Sequence, residues 1–535
     1  MEYQKFLKNI QPRKYQQDIY STCKEKNCLV VLPTGIGKTL VALMLTIERL
    51  TKFPEEKILF LAPTKPLAEQ HLRYFKNHLP ELFATLELFT GKTPADTRKK
   101  LWQNAEIVFS TPQCIENDIK NQLYSLKDVS LLIVDECHRC LKNYAYTYVA
   151  NQYKEQATHA RILGLTASPG HEKAKIKQIL DNMNIEALEV RTRESEDVKE
   201  YLQELKFEII KVDFPQEFGK IKEHLKKIFD KKVEELRSRK LLFMPATKKN
   251  LLDLQHQIMR AIASGNKHFN LLSGASACAQ VIKLQHALEL LETQTLSSFQ
   301  IYILNLFEQA KEGKSKAVQQ LIKQPDFNLA YTKLTELIAK KIEHPKLLKL
   351  KEIVQEEVKN PKAKIIVFAQ YRDTVTKICK ELNSLADIRA RVFVGQAKKG
   401  EGKNETGLSQ KEQQEIIHDF SLGKINILVA TQIGEEGLDI PEVNAVIFYE
   451  PIPSAIRKIQ RAGRTARLMK GKLIMLVTRN TRDEAYYWAA FNKEKKMYKA
   501  IESIQEDMEE GKINSNSKQE KLSQKSLISD DYQKS

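Results

Sequence analysis

The stretch Leu29-Val-Val-Leu-Pro-Thr-Gly-Ile-Gly-Lys-Thr39 places a glycine-rich turn directly after a short apolar run. A helical pattern of apolar residues begins at Val41, so the stretch predicts a strand, a loop and a helix in succession. The two glycines allow backbone N–H groups to point at phosphate oxygens, and the lysine can reach the outer phosphates and act in catalysis. We therefore expect a phosphate loop that binds ATP through Pro33, Thr34, Gly35, Ile36, Gly37, Lys38 and Thr39, with the Thr39 hydroxyl as a ligand of Mg²⁺.

Short apolar runs of this kind recur in two parts of the chain. They lie within residues 29–165 and 365–477, alternate with helical patterns, and are typical of buried parallel strands. Between the two parts, glycine is sparse and apolar residues recur at helical spacing, as in Ile221, Leu225 and Ile228. The predicted fold class is α/β, with two parallel-sheet domains and an all-helical insert between them. The expected boundaries are residues 1–205 and 346–505 for the α/β domains, 206–345 for the insert and 506–535 for a disordered polar tail.

The composition indicates a soluble, basic protein. Lys and Arg number 86 and Asp and Glu 68, and the resulting net charge of +18 favours a polyanionic partner, most often nucleic acid. The alternative is a basic surface that only maintains solubility. No apolar run approaches the ~18 residues that a membrane span needs. The N-terminus also lacks the apolar core of a signal peptide, so we expect no membrane partner and a cytoplasmic location.

A second motif, Asp135-Glu-Cys-His138, follows the apolar run at residues 131–134. Asp135 at a strand end can hold Mg²⁺ through water, and Glu136 can orient or deprotonate an attacking water. His138 can link the acidic pair to neighbouring motifs. The alternative is a polar strand-to-helix cap, but a position about 100 residues after a phosphate loop favours the catalytic interpretation. Cys137 and Cys140 have no second matched pair for a zinc site, so we interpret Cys137 as the variable position of the acidic box and Cys140 as incidental.

Several weaker patterns surround these two motifs. Arg13 and Gln16 lie upstream of the phosphate loop, where an amide can read the edge of adenine and a guanidinium can stack or reach phosphate. Short polar loops that follow apolar runs can bind a nucleic-acid backbone through N–H and hydroxyl groups, although each alone is more often an ordinary turn. The candidate nucleic-acid contacts are Thr64, Lys65, Thr90, Gly91, Thr111, Pro112 and Thr431.

The second α/β domain contributes a further set of candidates. Residues 460–467 read Gln-Arg-Ala-Gly-Arg-Thr-Ala-Arg and place three arginines at intervals of three, near one face of a helix. Guanidinium groups there can reach a phosphate bound on another domain, or they can form a basic face for nucleic acid. The catalytic candidates are Gln460, Arg464 and Arg467, and the cofactor-binding candidates are Gly437, for close backbone approach, and Asp439, for a ribose hydroxyl or an arginine.

Taken together and in this order, the motifs resemble those of superfamily 2 helicases of the DExH-box type. Longer strings, such as residues 434–441, 449–457 and 481–488, are similar to the archaeal Hef helicases, relatives of the FANCM fork-remodelling translocases. The resemblance implies two RecA-like domains, ATP and Mg²⁺ as cofactors, and a helical insert that helps to bind branched duplex DNA. It also implies ATP-driven 3′-to-5′ movement on stalled forks and four-way junctions in DNA repair.

Three departures from the family pattern stand out. Cys137 replaces the usual alanine of the acidic box, and Ala466 stands where glycine is common. No Glu-Arg-Lys nuclease signature follows the second domain, so we expect only the helicase portion. Two rivals stay open: a duplex-RNA-dependent ATPase of the RNA-sensor and Dicer type, and a DNA-structure-binding scaffold with an inactive ATP site. A sliding clamp and a nuclease are both possible protein partners, and the sequence does not identify either.

Overall fold

The computed structural model describes residues 2–201, 205–266, 268–395, 407–431, 441–452 and 471–510. Two parallel sheets with helices on their faces are separated along the chain by a bundle of helices. This arrangement confirms the predicted fold class.

The first sheet has seven strands, and its strand order decides which loops meet. The strands are β1 Cys28–Val31, β2 Lys57–Leu61, β3 Leu86–Phe89, β4 Ile107–Ser110, β5 Val129–Asp135, β6 Ile162–Thr166 and β7 Ala187–Val190. They lie in the order β3-β4-β2-β5-β6-β1-β7, and every pair is parallel. Strands β1, β2, β4, β5 and β6 are almost wholly buried, as expected for a sheet with helices on both faces.

The helices of the first domain cover both faces of this sheet. They are α1 Lys14–Glu25, α2 Lys38–Lys52, α3 Lys65–His78, α4 Ala95–Asn104, α5 Pro112–Lys120, α6 Ala145–Gln156, α7 Lys173–Asn182 and α8 Glu196–Lys199. The two faces carry separate apolar cores, because successive strand residues point to opposite sides. Leu29 and Val31 belong to one core, and Val30 and Leu32 belong to the other.

Among the described residues, the second sheet has six strands and includes one strand from before the insert. The strands are β8 Leu205–Val212, β9 Ile365–Phe368, β10 Ala390–Phe393, β11 Ile427–Ala430, β12 Ala445–Phe448 and β13 Gly471–Thr478, in the order β10-β11-β9-β12-β13-β8. The helices that follow the insert in this domain are α15 Pro345–Val358, α16 Arg372–Leu382 and α17 Gln410–Ser421. The expected insert boundary at residue 206 therefore falls inside a strand of the second domain. Glycine scarcity, which suggested that boundary, does not distinguish a half-exposed edge strand from a helix.

The insert is all-helical, as predicted. It comprises α9 Gln216–Ser238, α10 Lys248–Ala263, α11 Phe269–Thr293, α12 Leu296–Lys311, α13 Lys316–Ile322 and α14 Pro325–Ala339. The apolar face expected from residues 221–236 is buried, and α9 and α11 run through two apolar clusters, one at each end of the bundle. The insert meets the second domain at Lys346, whose Nζ donates to the carbonyl oxygen of Thr293 on α11 at 2.6 Å. The same amine forms a fully buried ion pair within the second domain, 2.8 Å from Asp483 Oδ2.

The last helix of the described residues, α18 (Arg482–Glu509), connects the domains. It begins after β13 of the second sheet, and further along, Met497, Ile501 and Ile504 pack into a core of the first domain. The predicted tail boundary at residue 506 falls within this helix, because the helix continues to Glu509. None of the described helices is long and apolar enough to cross a lipid bilayer.

Candidate nucleotide and nucleic-acid site

The strand order sorts the predicted loops of the first domain into two neighbouring groups. Loops that follow parallel strands meet at the carboxyl edge of the sheet. The adjacent strands β5, β6 and β1 carry the acidic box, Thr166 and the phosphate loop, and we call this part of the edge the nucleotide half. The adjacent strands β3, β4 and β2 carry the loops at residues 90–91, 111–112 and 63–65, which we call the nucleic-acid half. The boundary between the halves lies between β2 and β5.

The phosphate loop has the backbone conformation that its glycines predict. Gly35 and Gly37 have φ angles of 87° and 89°, in the left-handed region that favours glycine. Helix α2 begins at Lys38, so its first N–H groups and the positive end of its dipole face the loop. Lys38 Nζ donates a hydrogen bond of 3.0 Å to the carbonyl oxygen of Leu32. The phosphate loop therefore folds back on itself, so that the Lys38 amine contacts the backbone just after β1.

Gln16 stabilises the phosphate loop through hydrogen bonds to its backbone. Its Nε2 donates to the carbonyl oxygens of Ile36 at 3.2 Å and Gly37 at 3.3 Å, while its Oε1 accepts the Arg13 N–H at 2.9 Å. A Cβ atom on Gly37 would lie 2.2 Å from Gln16 Nε2, so a larger residue there would displace this amide group from its position. Arg13 places its guanidinium carbon 4.9 Å from the ring centroid of Tyr201. Adenine reading by Gln16 and Arg13 stays a prediction, and the observed contacts assign Gln16 a second role in shaping the loop.

The acidic box lies at the end of β5, beside the phosphate loop. Asp135 and Glu136 are buried, and Glu136 occupies the left-handed region with φ of 50°, which turns the chain sharply after the strand. His138 Nδ1 lies 3.2 Å from Glu136 Oε2 and 3.1 Å from Thr166 Oγ1 at the end of β6. His138 therefore contacts both Glu136 and Thr166, the last residue of β6, and its predicted role as a link between motifs stays a prediction.

Sequence reasoning missed a hydrogen-bond partner of the Asp135 carboxylate. His71, on α3, places Nε2 2.9 Å from Asp135 Oδ2, and both side chains are about nine-tenths buried. Burial alone would raise the pKa of Asp135, but the hydrogen bond and charge of His71, together with the charge of Lys38, lower that pKa below its usual value. The carboxylate is therefore held in its charged form. Only the adjacency of β2 and β5 brings α3 to the acidic box, and no local signal around His71 indicates it.

The nucleotide half fits a nucleotide and its metal. The Thr34 hydroxyl is buried with no hydrogen-bond partner in the described part of the chain, and buried Glu136 Oε2 has only its ion-pair contact with His138 there, as expected for groups that face a bound ligand. The described residues form no cluster of three or more His, Cys, Asp or Glu side chains that could hold a metal ion by themselves. Mg²⁺ is commonly held by one or two carboxylates, phosphate oxygens and water, so the absence of such a cluster is compatible with Asp135 and the Thr39 hydroxyl as its predicted protein ligands.

The loops of the nucleic-acid half lie at helix starts. Thr64 precedes α3, Lys65 is its first residue, and Thr111 precedes α5. The Thr64 hydroxyl has no hydrogen-bond partner among the described residues, and Lys65 Nζ lies 3.2 Å from Glu69 Oε1. N–H groups at such helix starts are suited to phosphate oxygens.

The remaining contacts expected for nucleic acid differ in accessibility. Gly91 is exposed, whereas Pro112 is buried, so the Pro112 ring contributes to packing and any contact there falls to Thr111. Thr90 is buried, and its Oγ1 accepts the Lys92 N–H at 3.3 Å. Thr431, just after β11 of the second sheet, is buried and donates its N–H to the carbonyl oxygen of Phe393 at 3.1 Å.

Arg98 is a second residue that the sequence did not indicate. Its Nη1 donates to the carbonyl oxygens of Thr90 and Thr93, and its Nε donates to Asp118 Oδ2 at 2.7 Å. The side chain is largely buried and forms a bidentate pair with Asp118 on α5. Arg98 therefore ties the loop after β3 to the helix after β4.

Five predicted site residues lie outside the residues that the structure describes. They are Gly437, Asp439, Gln460, Arg464 and Arg467. Their assignments stay predictions from the sequence.

Comparison with known proteins agrees with this division of the chain. Residues 13–176 match the DEAD/DEAH box helicase family, and residues 345–469 match the helicase conserved C-terminal domain. Residues 217–336 match a helical bundle described for ATP-dependent RNA helicases. The fold and the site thus define a helicase with two α/β domains and a helical insert.

Individual relatives narrow the class. The chain is 43% identical to the Hef helicase domain of Pyrococcus furiosus, with a TM-score of 0.69 and coverage of 91% of this chain and 100% of that structure. It is 38% identical to a Methanocaldococcus jannaschii protein named as an ATP-dependent RNA helicase, MJ1505, over 93% of this chain and 61% of the relative. It is 33% identical to the mouse Fanconi anemia group M protein homolog, over 92% of this chain and 26% of the relative.

The chain therefore belongs to the Hef and FANCM family of superfamily 2 helicases. It spans about three fifths of the length of the archaeal relative and about a quarter of the mouse relative.

Proposed function

We propose that the protein is an ATP-driven DNA helicase or translocase that acts on branched DNA, such as stalled forks and four-way junctions, in DNA repair. The observation that carries the proposal is the division of the first sheet's edge into a nucleotide half and an adjacent nucleic-acid half. The names of relatives support DNA as the substrate, among them the ATP-dependent DNA helicase fml1 of Schizosaccharomyces pombe, 32% identical over 88% of this chain and 57% of the relative.

In the proposed reaction, the first domain binds the phosphates of ATP and activates water. Lys38 and the N–H groups of the phosphate loop hold the phosphates, and Glu136 orients the attacking water. Thr39 and Asp135 would hold Mg²⁺, and the bound ion would supply positive charge that neutralises the transferred phosphoryl group. Arg464 and Arg467 of the second domain would stabilise the transition state, as the sequence motif predicts.

Movement along DNA follows from a cycle of closure and opening between the two α/β domains. Thr64, Lys65 and Thr111 would hold the DNA backbone on the first domain, and Thr431 would hold it on the second. The two domains would close when ATP binds and open after hydrolysis. This cycle would change the distance between the two sets of DNA contacts and move the protein along the strand. The family resemblance supports 3′-to-5′ polarity.

In this proposal, the helical insert binds the duplex arm of a branched substrate. Helix α9 and the turn after it carry exposed cations at Lys226, Lys227, Lys231, Arg237 and Lys240. Some of these are engaged with acids of the insert, as in Lys227 with Asp326 at 3.4 Å. Phosphate contacts by such residues carry no sequence information, which suits recognition of DNA shape.

A substrate comparison tests the proposal directly. ATPase rate and strand separation would be measured with forked DNA, four-way junctions, single-stranded DNA and duplex RNA. We expect the strongest stimulation by forked or junction DNA. Stronger stimulation by duplex RNA would favour the RNA-dependent alternative, which the name of MJ1505 supports. Absence of ATPase activity with every substrate would favour the scaffold alternative.

A charge-neutralised variant tests the role of the insert. Replacing Lys226, Lys231 and Lys240 by Gln should lower the affinity for forks and flatten its salt dependence, because fewer counterions are released. ATPase stimulated by single-stranded DNA should persist. The matched control replaces Lys359, Lys362 and Lys380, which are exposed on the second domain, and removes the same charge. If both variants lowered fork affinity equally, the insert would contribute only through the overall positive charge of the protein and would not bind the duplex arm specifically.

A further inference from the structure

His71 occupies an unusual position between the two halves of the sheet edge. It lies on α3, about two helical turns beyond Thr64, and so belongs to the helix that follows β2 in the nucleic-acid half. Its ring nevertheless contacts Asp135 at the end of β5, in the nucleotide half. His71 and Asp135 therefore form a direct side-chain contact across the boundary between the two halves.

We propose that His71 is a positioning residue that orients the metal-binding carboxylate of Asp135 and couples it to nucleic-acid contact at the start of α3. The proposal rests on the proposed ATPase function, which requires Asp135 to hold Mg²⁺. It adds a residue outside the helicase motifs and a route from the DNA grip to the metal site.

The ring of His71 is held in one orientation by the core. Its centroid lies 4.4 Å from that of Phe60 on β2, and Phe60 packs in turn against Phe75 and Phe109. A side chain enclosed in this way cannot follow Asp135 if the carboxylate rotates. The position of Nε2 is thus determined by α3 and β2, and not by Asp135 itself.

Asp135 is fixed at two points. Its carbonyl oxygen accepts a 2.7 Å hydrogen bond from the Tyr146 hydroxyl, and its Oδ2 faces His71. With Oδ2 engaged by His71, the direction of Oδ1 is also determined, because the carboxylate is planar. Partners that orient a metal ligand in this way are commonly worth about 10- to 100-fold in metal affinity.

The location of His71 on α3 supplies the coupling. Lys65 and Thr64, the proposed phosphate contacts, lie at the first turn of the same helix. A helix moves as a unit, so a shift of α3 on DNA binding would carry the His71 ring with it. The hydrogen bond to Asp135 would then tighten or loosen, and the metal site would respond to DNA.

Substitutions at His71 separate positioning from packing. His71→Leu fills the site without a donor, and His71→Gln places an amide nitrogen at a reach close to that of Nε2. His71→Asn also carries an amide donor, but its side chain is too short for that donor to reach Asp135. The control, His78→Leu, removes a histidine at the last residue of α3, whose Nδ1 faces the Lys8 carbonyl oxygen at 3.0 Å.

The main readout is binding without turnover. Affinity for a fluorescent ADP analogue would be measured with and without Mg²⁺, beside the thermal unfolding temperature and the stimulation of ATPase by DNA. We expect His71→Leu and His71→Asn to lose about tenfold in the Mg²⁺-dependent part of the affinity and to retain the Mg²⁺-free part. They should also lose most of the stimulation by DNA. His71→Gln should recover both, and His78→Leu should match the original protein.

Two outcomes would overturn the proposal. If His71→Leu lowers the unfolding temperature but keeps Mg²⁺-dependent affinity and DNA stimulation, His71 is only a core residue. If His71→Leu does not fold, equal behaviour of His71→Gln and His71→Asn excludes the hydrogen bond as the cause. Failure of the unsubstituted protein to bind ADP at all would overturn the proposed function itself, and so is distinguishable from both.

Discussion

The nucleotide half and the nucleic-acid half of the first sheet's edge hold their polar groups in different ways. In the nucleotide half, the side chains of Gln16, Thr166 and Asp135 are buried and hydrogen-bonded to neighbouring elements, namely the phosphate loop, the acidic box and helix α3. In the nucleic-acid half, Gly91 is exposed and Lys65 is about one third exposed. The nucleotide half is thus built before its ligand arrives, whereas the other half offers groups at helix starts to a partner.

This difference matches what each proposed ligand requires. A triphosphate has one shape, and its hydrolysis depends on groups held in place before the reaction. A nucleic-acid backbone is repetitive and must be released at every step, so its contacts have to be reversible. Apart from His71, which contacts Asp135 across the boundary, substitutions in one half should therefore leave the ligand of the other half little affected. The largest effect is expected at the phosphate loop.

Lys38→Ala should have the largest effect. Loss of the amine that contacts the outer phosphates should lower ATP turnover roughly 10³-fold, while DNA affinity changes little because Lys38 lies in the nucleotide half. Turnover would be followed by phosphate release and DNA affinity by fluorescence anisotropy. A parallel loss of DNA affinity would show that the two halves are not separable at this residue.

Glu136→Gln should retain ATP and lose hydrolysis. The amide keeps the size of the side chain beside His138 but cannot take a proton from water, so we expect turnover to fall about 10²-fold or more. Nucleotide affinity, measured separately by calorimetry, should stay within a few fold. If affinity and turnover fell together, Glu136 would be acting as a binding group and not as the residue that orients water.

The nucleotide half was predictable because its chemistry restricts the residue types. A glycine-rich turn with lysine and threonine after a strand is typical of phosphate binding, and an acidic pair at a later strand end is typical of metal and water activation beside it. His71 and Arg98 were not predictable, because their contacts depend on which strands and helices are neighbours. Periodicity correctly predicted the helices of the insert but did not reveal that β8 joins the second sheet beside β13.

Two glycines offer a matched test of the difference between the halves. Gly37 has φ of 89° and a Cβ there would meet Gln16, whereas a Cβ on Gly91 would meet no atom within 4 Å. An alanine in the left-handed region costs about 1–2 kcal/mol, so Gly37→Ala should weaken ATP binding about tenfold. Gly91→Ala should leave ATP affinity unchanged. Equal ATP affinities for the two variants would contradict a phosphate loop preformed around Gln16.

The smallest effect is expected in the nucleic-acid half, from Lys65→Gln. Lys65 is the first residue of α3, and its amine lies 3.2 Å from Glu69, so a DNA phosphate would compete with that carboxylate for it. Replacing one phosphate contact should weaken DNA binding equally for all sequences and lower the slope of log affinity against log salt by about 1. Glu69→Gln should act in the opposite direction, because it frees the amine for phosphate. ATP affinity without DNA should be the same in both variants, since neither residue contacts the phosphate loop in the described structure. If Lys65→Gln left the salt slope unchanged while Lys38→Ala lowered it, DNA would lie against the phosphate loop, and the assignment of the two halves would have to be reversed.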